Sequence, residues 1–215
     1  AIAGGVNNCI EEDTSFTSVG SFIGGGTEHH ISASNWFAIV GGAFNCTVKS
    51  MCGFIGGGAS HIVSLSGCSG IVVGQGNCIC NAGHSSIVAG TNNRIIHNTA
   101  GYRNVVIGGS NNWITGDGSS ALAGGETNCI LSSYSFLGGG KDNIISGDCS
   151  AIIGGYQNCT KNTATHAAIA GGRQNTGSAE NSFIGGGGRN HINNLAVSSS
   201  ILGGFDNSTN LSNTH

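Results

Sequence analysis

The sequence contains no proline and few charged residues. Asp, Glu, Lys and Arg make up 8% of the 215 residues, whereas about 25% is usual in soluble domains. Disordered chains have high charge or abundant proline, and collagen combines proline with glycine at every third position. Neither class fits this composition, so the sequence predicts a folded chain of another kind.

Long apolar runs and an excess of positive charge are also missing. The sequence has neither a run of about 18 apolar residues nor a basic start followed by an apolar stretch, so it predicts no membrane span and no intact signal peptide. Seven Lys and Arg residues stand against ten Asp and Glu residues, a net charge of −3. We therefore expect no nucleic-acid partner, because nothing here would hold a phosphate backbone.

Glycine is what the sequence has in excess, and it is arranged in a repeat. It occupies 40 of 215 positions. A unit with an aliphatic residue, a Gly pair, two variable residues and then Asn recurs thirteen times. The Asn site reads Asn8, His29, Asn45, His61, Asn77, Asn93, Asn112, Asn128, Asn143, Asn158, Asn175, Asn190 and Asn207. Since 199 residues separate the first copy from the last in twelve steps, the average unit of about 16.6 residues is typical of a solenoid.

This unit predicts one coil of a β-solenoid. It is too short for two helices, its Gly pair would break one, and its short apolar runs suit a strand. We therefore expect an all-β, parallel β-solenoid with one strand per coil, about 13 coils of about 16 residues, over residues 1–215 as one continuous domain. Because no capping coil is visible at either end, we expect a segment of a longer fibre or a unit that stacks end to end.

The aliphatic site, here called the key site, is never polar. It reads Ile2, Ile23, Ile39, Ile55, Ile71, Ile87, Val106, Leu122, Leu137, Ile152, Ile169, Ile184 and Ile201. Its neighbours point to the opposite face of the strand. Where Phe precedes the key site, Gly follows it, as at Phe22, Phe54, Phe136 and Phe183. This compensation of volume predicts that the opposite face is buried as well, with these four rings at an interface between chains or in the seam between stacked strands.

The Gly pair and the Asn have a structural interpretation. Gly adopts positive φ without steric cost, and Asn tolerates the left-handed region, so the segment predicts a tight corner, with positive φ expected at Gly57. Stacked Asn amides would bond along the axis. The corner residues are Gly4, Gly5, Gly41, Gly42, Gly57, Gly58, Asn8, Asn45, Asn77, Asn93, Asn112, Asn128, Asn143 and Asn158.

These units resemble a known family. The runs Ser135-Phe136-Leu137-Gly138-Gly139-Gly140 to Asn143 and Ser150-Ala151-Ile152-Ile153-Gly154-Gly155 to Asn158 are similar to the head repeats of YadA-type trimeric adhesins, and similar arrays occur in phage and large-virus fibre proteins. The resemblance implies a left-handed parallel β-roll assembled as a homotrimer, without catalysis. Because the motif consists of structural residues, it bears on fold more than on function.

The nine cysteines depart from this family, whose members usually avoid cysteine; they favour a fibre assembled in a reducing cytosol. Five follow the Asn site and are interpreted as small apolar residues in a packed column: Cys9, Cys46, Cys78, Cys129 and Cys159. Cys52, Cys68 and His84 occupy one site in three successive coils. That spacing leaves open a Cys52–Cys68 disulfide, or a metal patch of all three with a fourth ligand from elsewhere.

No catalytic or cofactor-binding residue emerges from the sequence. The Gly runs lack the Asp of calcium-binding rolls and the Lys-Ser/Thr of phosphate loops. Hexapeptide-repeat acyltransferases use a catalytic His on multiples of six, which intervals of 15, 17 and 19 residues do not fit. An enzyme of that kind is therefore the least favoured alternative.

The sequence thus predicts a non-enzymatic segment of a fibre or spike, extracellular or on a virion surface. It would form a rigid oligomeric rod that spaces or presents a binding tip. Its main partner would be itself, as a homotrimer. The alternative is a trimeric adhesin head that binds host matrix, a cell-surface receptor or a glycan through its lateral surface.

Overall fold

The computed structural model describes residues 1–11, 20–32, 39–42, 44–50, 52–97 and 103–209. The chain divides into two compact units, Ala1–Asn111 and Asn112–His215. Within the described ranges every regular element is a β-strand, and no helix is long and apolar enough to cross a membrane.

The first unit contains twelve strands, which form two parallel ladders. The strands are β1 Cys9–Glu11, β2 Phe22–Ile23, β3 His30–Ser32, β4 Ile39–Val40, β5 Thr47–Lys49, β6 Cys52–Ile55, β7 Ile62–Ser64, β8 Cys68–Ile71, β9 Cys78–Cys80, β10 Ser86–Ile87, β11 Arg94–Ile96 and β12 Val105–Val106. One ladder runs β1-β3-β5-β7-β9-β11 and the other β2-β4-β6-β8-β10-β12.

The second unit repeats this plan with thirteen strands. They are β13 Trp113–Ile114, β14 Ala121–Leu122, β15 Cys129–Ile130, β16 Phe136–Leu137, β17 Ile144–Ile145, β18 Ala151–Ile152, β19 Cys159–Thr160, β20 Ala168–Ile169, β21 Thr176–Gly177, β22 Phe183–Ile184, β23 His191–Ile192, β24 Ser200–Ile201 and β25 Ser208–Thr209. The odd-numbered strands form one ladder and the even-numbered strands the other.

This alternation is that of a parallel β-solenoid, as the repeat predicts. Within each unit a strand pairs with the strand two places on, so Phe136 lies opposite Ala151 and Leu137 opposite Ile152. The prediction of one strand per coil is wrong, because each coil has two short strands. A single residue after the Gly pair forms a third line of bridges, for example Lys141 to Tyr156. The Gly corner separates the strands because its positive φ angles cannot continue a pleated strand.

Two columns of aliphatic side chains fill the interior of each unit. The key site of the even-numbered strands provides one column, with Ile55, Leu137 and Ile184 fully buried. The second residue of the odd-numbered strands provides the other, with Ile79 and Ile130 fully buried. Side chains alternate along a strand, so the residues beside each column point outward.

The third coil is aligned one residue later than the repeat suggests. Val40 lies opposite both Ile23 and Ile55, whereas Ile39 lies opposite Phe22 and Phe54. The key site of this coil is therefore Val40, and the assignment of Ile39 is wrong. The second apolar column shows the correct alignment in the sequence. Ile31 and Val63 lie two residues after the Asn-site residues of their coils, and Val48 does so only if the Asn site of the third coil is Cys46.

The pairing of Phe with Gly has a cause within the chain. A Cβ at Gly56 would lie 3.1 Å from Cζ and 3.2 Å from Cε1 of Phe54. The same relation holds at Gly138, whose Cβ would lie 3.4 Å from Cε1 of Phe136. The ring thus lies close to the glycine of its own coil at these two positions, and a Cβ there would also collide with a backbone carbonyl oxygen of the next coil, that of Val72 or Ile153.

The outward face of the even-numbered strands remains exposed within the single chain. Phe22, Phe54, Phe136 and Phe183 are each 40–45% exposed. Burial of both strand faces is therefore not achieved by this chain alone, and the location of the four rings at an interface between chains stays a prediction.

Candidate functional site

The two glycines differ in conformation in several corners, whereas in three others, at Gly25, Gly139 and Gly186, the first glycine has positive φ as well. The second glycine has positive φ, as at Gly5 (96°) and Gly58 (100°), and Gly42 has a φ of 121°. Gly4, Gly41 and Gly57 do not have positive φ. The expectation of positive φ at Gly57 is therefore wrong. A Cβ there would meet no atom within 4 Å, whereas a Cβ at Gly58 would collide with the carbonyl oxygen of Gly74.

The Asn amides form a buried ladder that bonds mainly to the backbone. Asn128 donates from Nδ2 to the carbonyl oxygens of Gly124 (3.1 Å) and Gly140 (2.9 Å). Its Oδ1 accepts the backbone N–H of Asn143 at 3.0 Å. Each such Asn closes the corner of its own coil and ties it to the next coil. Direct amide-to-amide bonds are seen from Asn143 to Asn128 (3.1 Å) and from Asn207 to Asn190 (2.9 Å).

Three other residues stand in this ladder where the first unit lacks Asn. Cys46 replaces the predicted Asn45: it is fully buried and donates its N–H to Nδ1 of His29 at 3.2 Å. Asn45 is exposed, has a φ of 47° and lies one residue before the ladder, so its assignment is wrong. The assignment fails because the third coil is aligned one residue later than the repeat suggests.

His29 replaces the amide with both of its ring nitrogens, and His61 does so with Nδ1. The N–H of Asn77 donates to Nδ1 of His61 at 3.2 Å, and Nε2 of His29 lies 3.3 Å from the carbonyl oxygen of Gly42. Nδ1 accepts in both residues, so the neutral ring fits the ladder. Burial lowers the pKa of His61, although hydrogen bonds to the backbone oppose this effect.

A second polar ladder, of serines two residues before the key site, was not predicted. Ser150 Oγ donates to the carbonyl oxygen of Ala164 (2.8 Å) and accepts the N–H of Ala167 (3.0 Å). Ser69 and Ser135 accept an N–H from the next coil in the same way, from Ser85 (3.0 Å) and Ser150 (3.2 Å). The recurrence of Ser at this position was the available signal. Among the described residues both ladders bond mainly to backbone groups, although Nε2 of His61 and Oγ of Ser182 are buried without a hydrogen-bond partner.

The cysteines do not form one packed column. Cys9, Cys78, Cys129 and Cys159 begin odd-numbered strands and are partly exposed, whereas Cys46 is buried in the ladder. All nine thiols are free. Cys52 and Cys68 lie directly opposite each other on β6 and β8, and a hydrogen bond with Cys68 raises the pKa of Cys52 to about 11.

His84 lies in the coil after Cys68, in a turn with a φ of 53°. Among the described residues, only Cys9, Glu11 and His30 bring three such ligand atoms within 4.8 Å of one another. The structure therefore does not gather Cys52, Cys68 and His84 as closely, and a disulfide or metal ion at that site stays a prediction.

Cys78 and Cys80 form a close thiol pair on β9. Their sulfur atoms are 3.0 Å apart, because alternate residues of a strand point to one side. A hydrogen bond from Cys78, aided by the nearby Arg94 guanidinium, lowers the pKa of Cys80 to about 7, and the same pairing raises the pKa of Cys78. Cys80 does not occupy a recurring position of the repeat, so the sequence alone did not identify this pair.

Cys9, Glu11 and His30 meet on the outer side of the first two coils. Cys9 Sγ lies 3.7 Å from Oε1 of Glu11, and His30 Nε2 lies 3.1 Å from Oε2 of the same residue. Desolvation and the Glu11 carboxylate raise the pKa of Cys9. The sequence did not predict this group: the repeat aligns Cys9 with His30, one residue after Asn8 and His29, but it does not show that Glu11 reaches both side chains.

A shallow polar depression of about 340 Å³ lies in the second unit. It is lined by Lys161, Asn162, Thr163, Ser178, His191, Asn193 and Asn194. Ser178 Oγ lies 3.3 Å from Nε2 of His191, but no carboxylate lines the depression to orient the imidazole. Hydroxyls and amides on an open surface suit hydrogen bonding to a polar ligand.

Comparison with known proteins gives no family assignment. The chain matches no protein-family model, and no curated protein matches it. What the sequence and fold define together is a repeat protein with a parallel β-solenoid fold.

Proposed function

We propose that this chain is a non-enzymatic structural rod segment of an oligomeric fibre or spike, extracellular or on a virion surface, that spaces or presents a binding tip. The observation that carries the proposal is an apolar outward strip on the even-numbered strands and on the residues that directly follow them, 40–83% exposed at its large side chains. The strip consists of Phe22, Phe54, Val72, Val88 and Ile107 in the first unit, and Phe136, Ile153, Phe183 and Leu202 in the second.

The composition of the outward strip supports association with further copies of the chain. Neither of the two positions that flank the key site carries a charged residue in any of the thirteen coils. If this face of the sheet met only water, its strands would carry polar residues at the outward positions, in alternation with apolar residues at the inward ones. A regular ladder without charge is best complemented by another ladder with the same spacing of rungs, about 4.8 Å. The resemblance to YadA-like head repeats favours three copies and a left-handed roll, and end-to-end stacking would extend the rod.

The oligomeric state tests this proposal. Size-exclusion chromatography with light scattering at micromolar concentration should give a defined oligomer. The double variant Phe54→Glu/Phe136→Glu should give monomers, because a carboxylate cannot be buried unpaired in an apolar interface. Thr47→Glu/Thr176→Glu, on the outward side of the odd-numbered strands, should remain oligomeric. A monomeric wild-type chain would overturn the proposal.

The polar depression of the second unit favours one alternative, an adhesin head whose lateral surface binds a glycan or receptor. This alternative predicts that Lys161→Ala and Asn194→Ala reduce cell attachment while the oligomer and its melting temperature stay unchanged. Attachment that is unaffected by both substitutions would favour the structural rod.

A further inference from the structure

We propose that Cys9, Glu11 and His30 bind one Zn²⁺ ion, which fastens the first coil to the second. This inference goes beyond the proposed function and does not depend on it. Zinc is bound in proteins by thiolate, imidazole and carboxylate groups with tetrahedral geometry. This group offers one donor of each kind on two adjacent strands.

Two of the distances between the donor groups, one to each oxygen of the Glu11 carboxylate, are close to those around a single ion. With Zn–S of about 2.3 Å and Zn–N and Zn–O of about 2.0–2.2 Å, tetrahedral angles place sulfur about 3.6 Å from oxygen and nitrogen about 3.3 Å from oxygen. The structure has 3.7 Å between Cys9 Sγ and Glu11 Oε1, and 3.1 Å between His30 Nε2 and Glu11 Oε2. All three ligand atoms lie within 4.8 Å of one another.

The sheet itself brings the three side chains together. Cys9 lies directly opposite His30, and Glu11 opposite Ser32, in the register of β1 with β3. Cys9 and Glu11 are two residues apart on one strand, so both side chains point to the same side. Adjacent parallel strands are about 4.8 Å apart, which brings the His30 ring beside both ligands of β1.

The donor set selects the metal. Calcium and magnesium prefer oxygen ligands, whereas a thiolate and an imidazole together favour zinc among the available divalent ions. The side chains of His30 and Glu11 are 32% and 61% exposed, so an ion can enter from solvent. Three protein ligands leave a fourth position for water.

Equivalent positions elsewhere provide matched controls. Cys129 begins β15 and lies opposite Trp113 and Ile144. His191 begins β23 and lies opposite Thr176 and Ser208. Each has the type and strand position of a proposed ligand without the other two donors beside it.

Calorimetric titration of the reduced full-length chain with Zn²⁺ tests the site. The wild type should bind one equivalent that Cys9→Ser, Glu11→Gln and His30→Gln each weaken by at least about tenfold, since even the loss of a partner outside the metal shell costs this much. Cys129→Ser and His191→Gln should keep that equivalent. Equal binding by wild type and Cys9→Ser would overturn the proposal, because the remaining thiols would then account for the zinc.

A second measurement needs no variant and so does not depend on how a variant folds. Iodoacetamide modification of the wild type, located by peptide mass spectrometry, should become at least about tenfold slower at Cys9 when Zn²⁺ is present. The rate at Cys129 should stay unchanged. An unchanged rate at Cys9 would overturn the proposal, whatever the oligomeric state of the chain.

Discussion

At the scale of single residues, one backbone angle separates the two glycines of the fourth corner, Gly57 and Gly58. Gly58 has a φ of 100°, a conformation that costs a residue with a Cβ about 1–3 kcal/mol. Gly57 lies beside it without positive φ and with open space at the Cβ position. The pair looks like one motif in the sequence, yet only one member needs to be glycine for conformational reasons.

We therefore expect Gly58→Ala to lower the free energy of unfolding by about 2 kcal/mol or more. The backbone strain adds to the collision of the new Cβ with the Gly74 carbonyl. Gly57→Ala is the matched control and should change stability by less than about 1 kcal/mol in either direction. Urea unfolding of both variants measures the difference. Equal losses would show that the two positions are equivalent after all.

His61 makes the stability of the ladder depend on pH. Its pKa in the unfolded chain is about 6.5, and burial lowers the pKa in the folded chain. Below about pH 6.5 the unfolded chain takes up a proton that the folded chain does not, so stability is complete above this pH and is lost as the pH falls toward the lowered folded pKa. The neutral ring that accepts the Asn77 N–H is the form that the fold requires.

Melting temperatures between pH 8 and pH 5 test this dependence. His61→Asn substitutes the residue that most coils use, so it should reduce the loss of stability on acidification while the protein remains folded at pH 8. His84→Asn replaces an exposed turn histidine and should leave the loss as large as in the wild type. If His61→Asn and the wild type lose the same stability, burial of His61 is not the cause.

At the scale of elements, very short strands are held by two interior columns and two polar ladders. Strand β19 interrupts the second aliphatic column with Thr160, between Ile145 and Gly177. Thr160 is fully buried, and its Oγ1 has no hydrogen-bond partner among the described residues. A buried hydroxyl without a partner keeps its full cost of desolvation.

Thr160→Val should therefore raise the free energy of unfolding by about 1 kcal/mol. Valine keeps the branched shape and removes only the unpaired hydroxyl. Thr176→Val, on the outward side of β21, is the control and should stay within about 0.5 kcal/mol of the wild type. Guanidinium unfolding provides both values, and a destabilised Thr160→Val would mean that the hydroxyl has a partner in solution.

The sequence predicted the elements that depend on one repeated position and missed those that depend on register. The key site revealed the solenoid because each coil must place an aliphatic side chain in the same narrow interior. The second strand of a coil and the correct alignment of the third coil could be predicted only from the second aliphatic column, in which Val48 aligns with Ile31 and Val63. Cys9 and His30 could have been paired from the repeat, because they follow Asn8 and His29 at the same site. The contact of Glu11 with both of them could not be read from the repeat.

At the scale of the whole molecule, the outward strip is the feature that a single chain leaves unsatisfied. Each unit exposes large apolar side chains on the outward face of its even-numbered strands, and exposed apolar patches of this kind usually mark interaction sites. Phe54 is 41% exposed in the single chain, so the benefit of covering the remaining part of its surface would come from a second chain.

Thermal unfolding at different protein concentrations measures that benefit. If folded chains are stabilised by association, the melting temperature of the wild type must rise with concentration, because the oligomer binds only folded chains. We expect a rise over a hundredfold range for the wild type and none for Phe54→Glu/Phe136→Glu. Thr47→Glu/Thr176→Glu should retain the dependence. A wild-type melting temperature that does not change with concentration would mean that each chain alone tolerates the outward strip in water, and an oligomer would then no longer follow from the exposed phenylalanines.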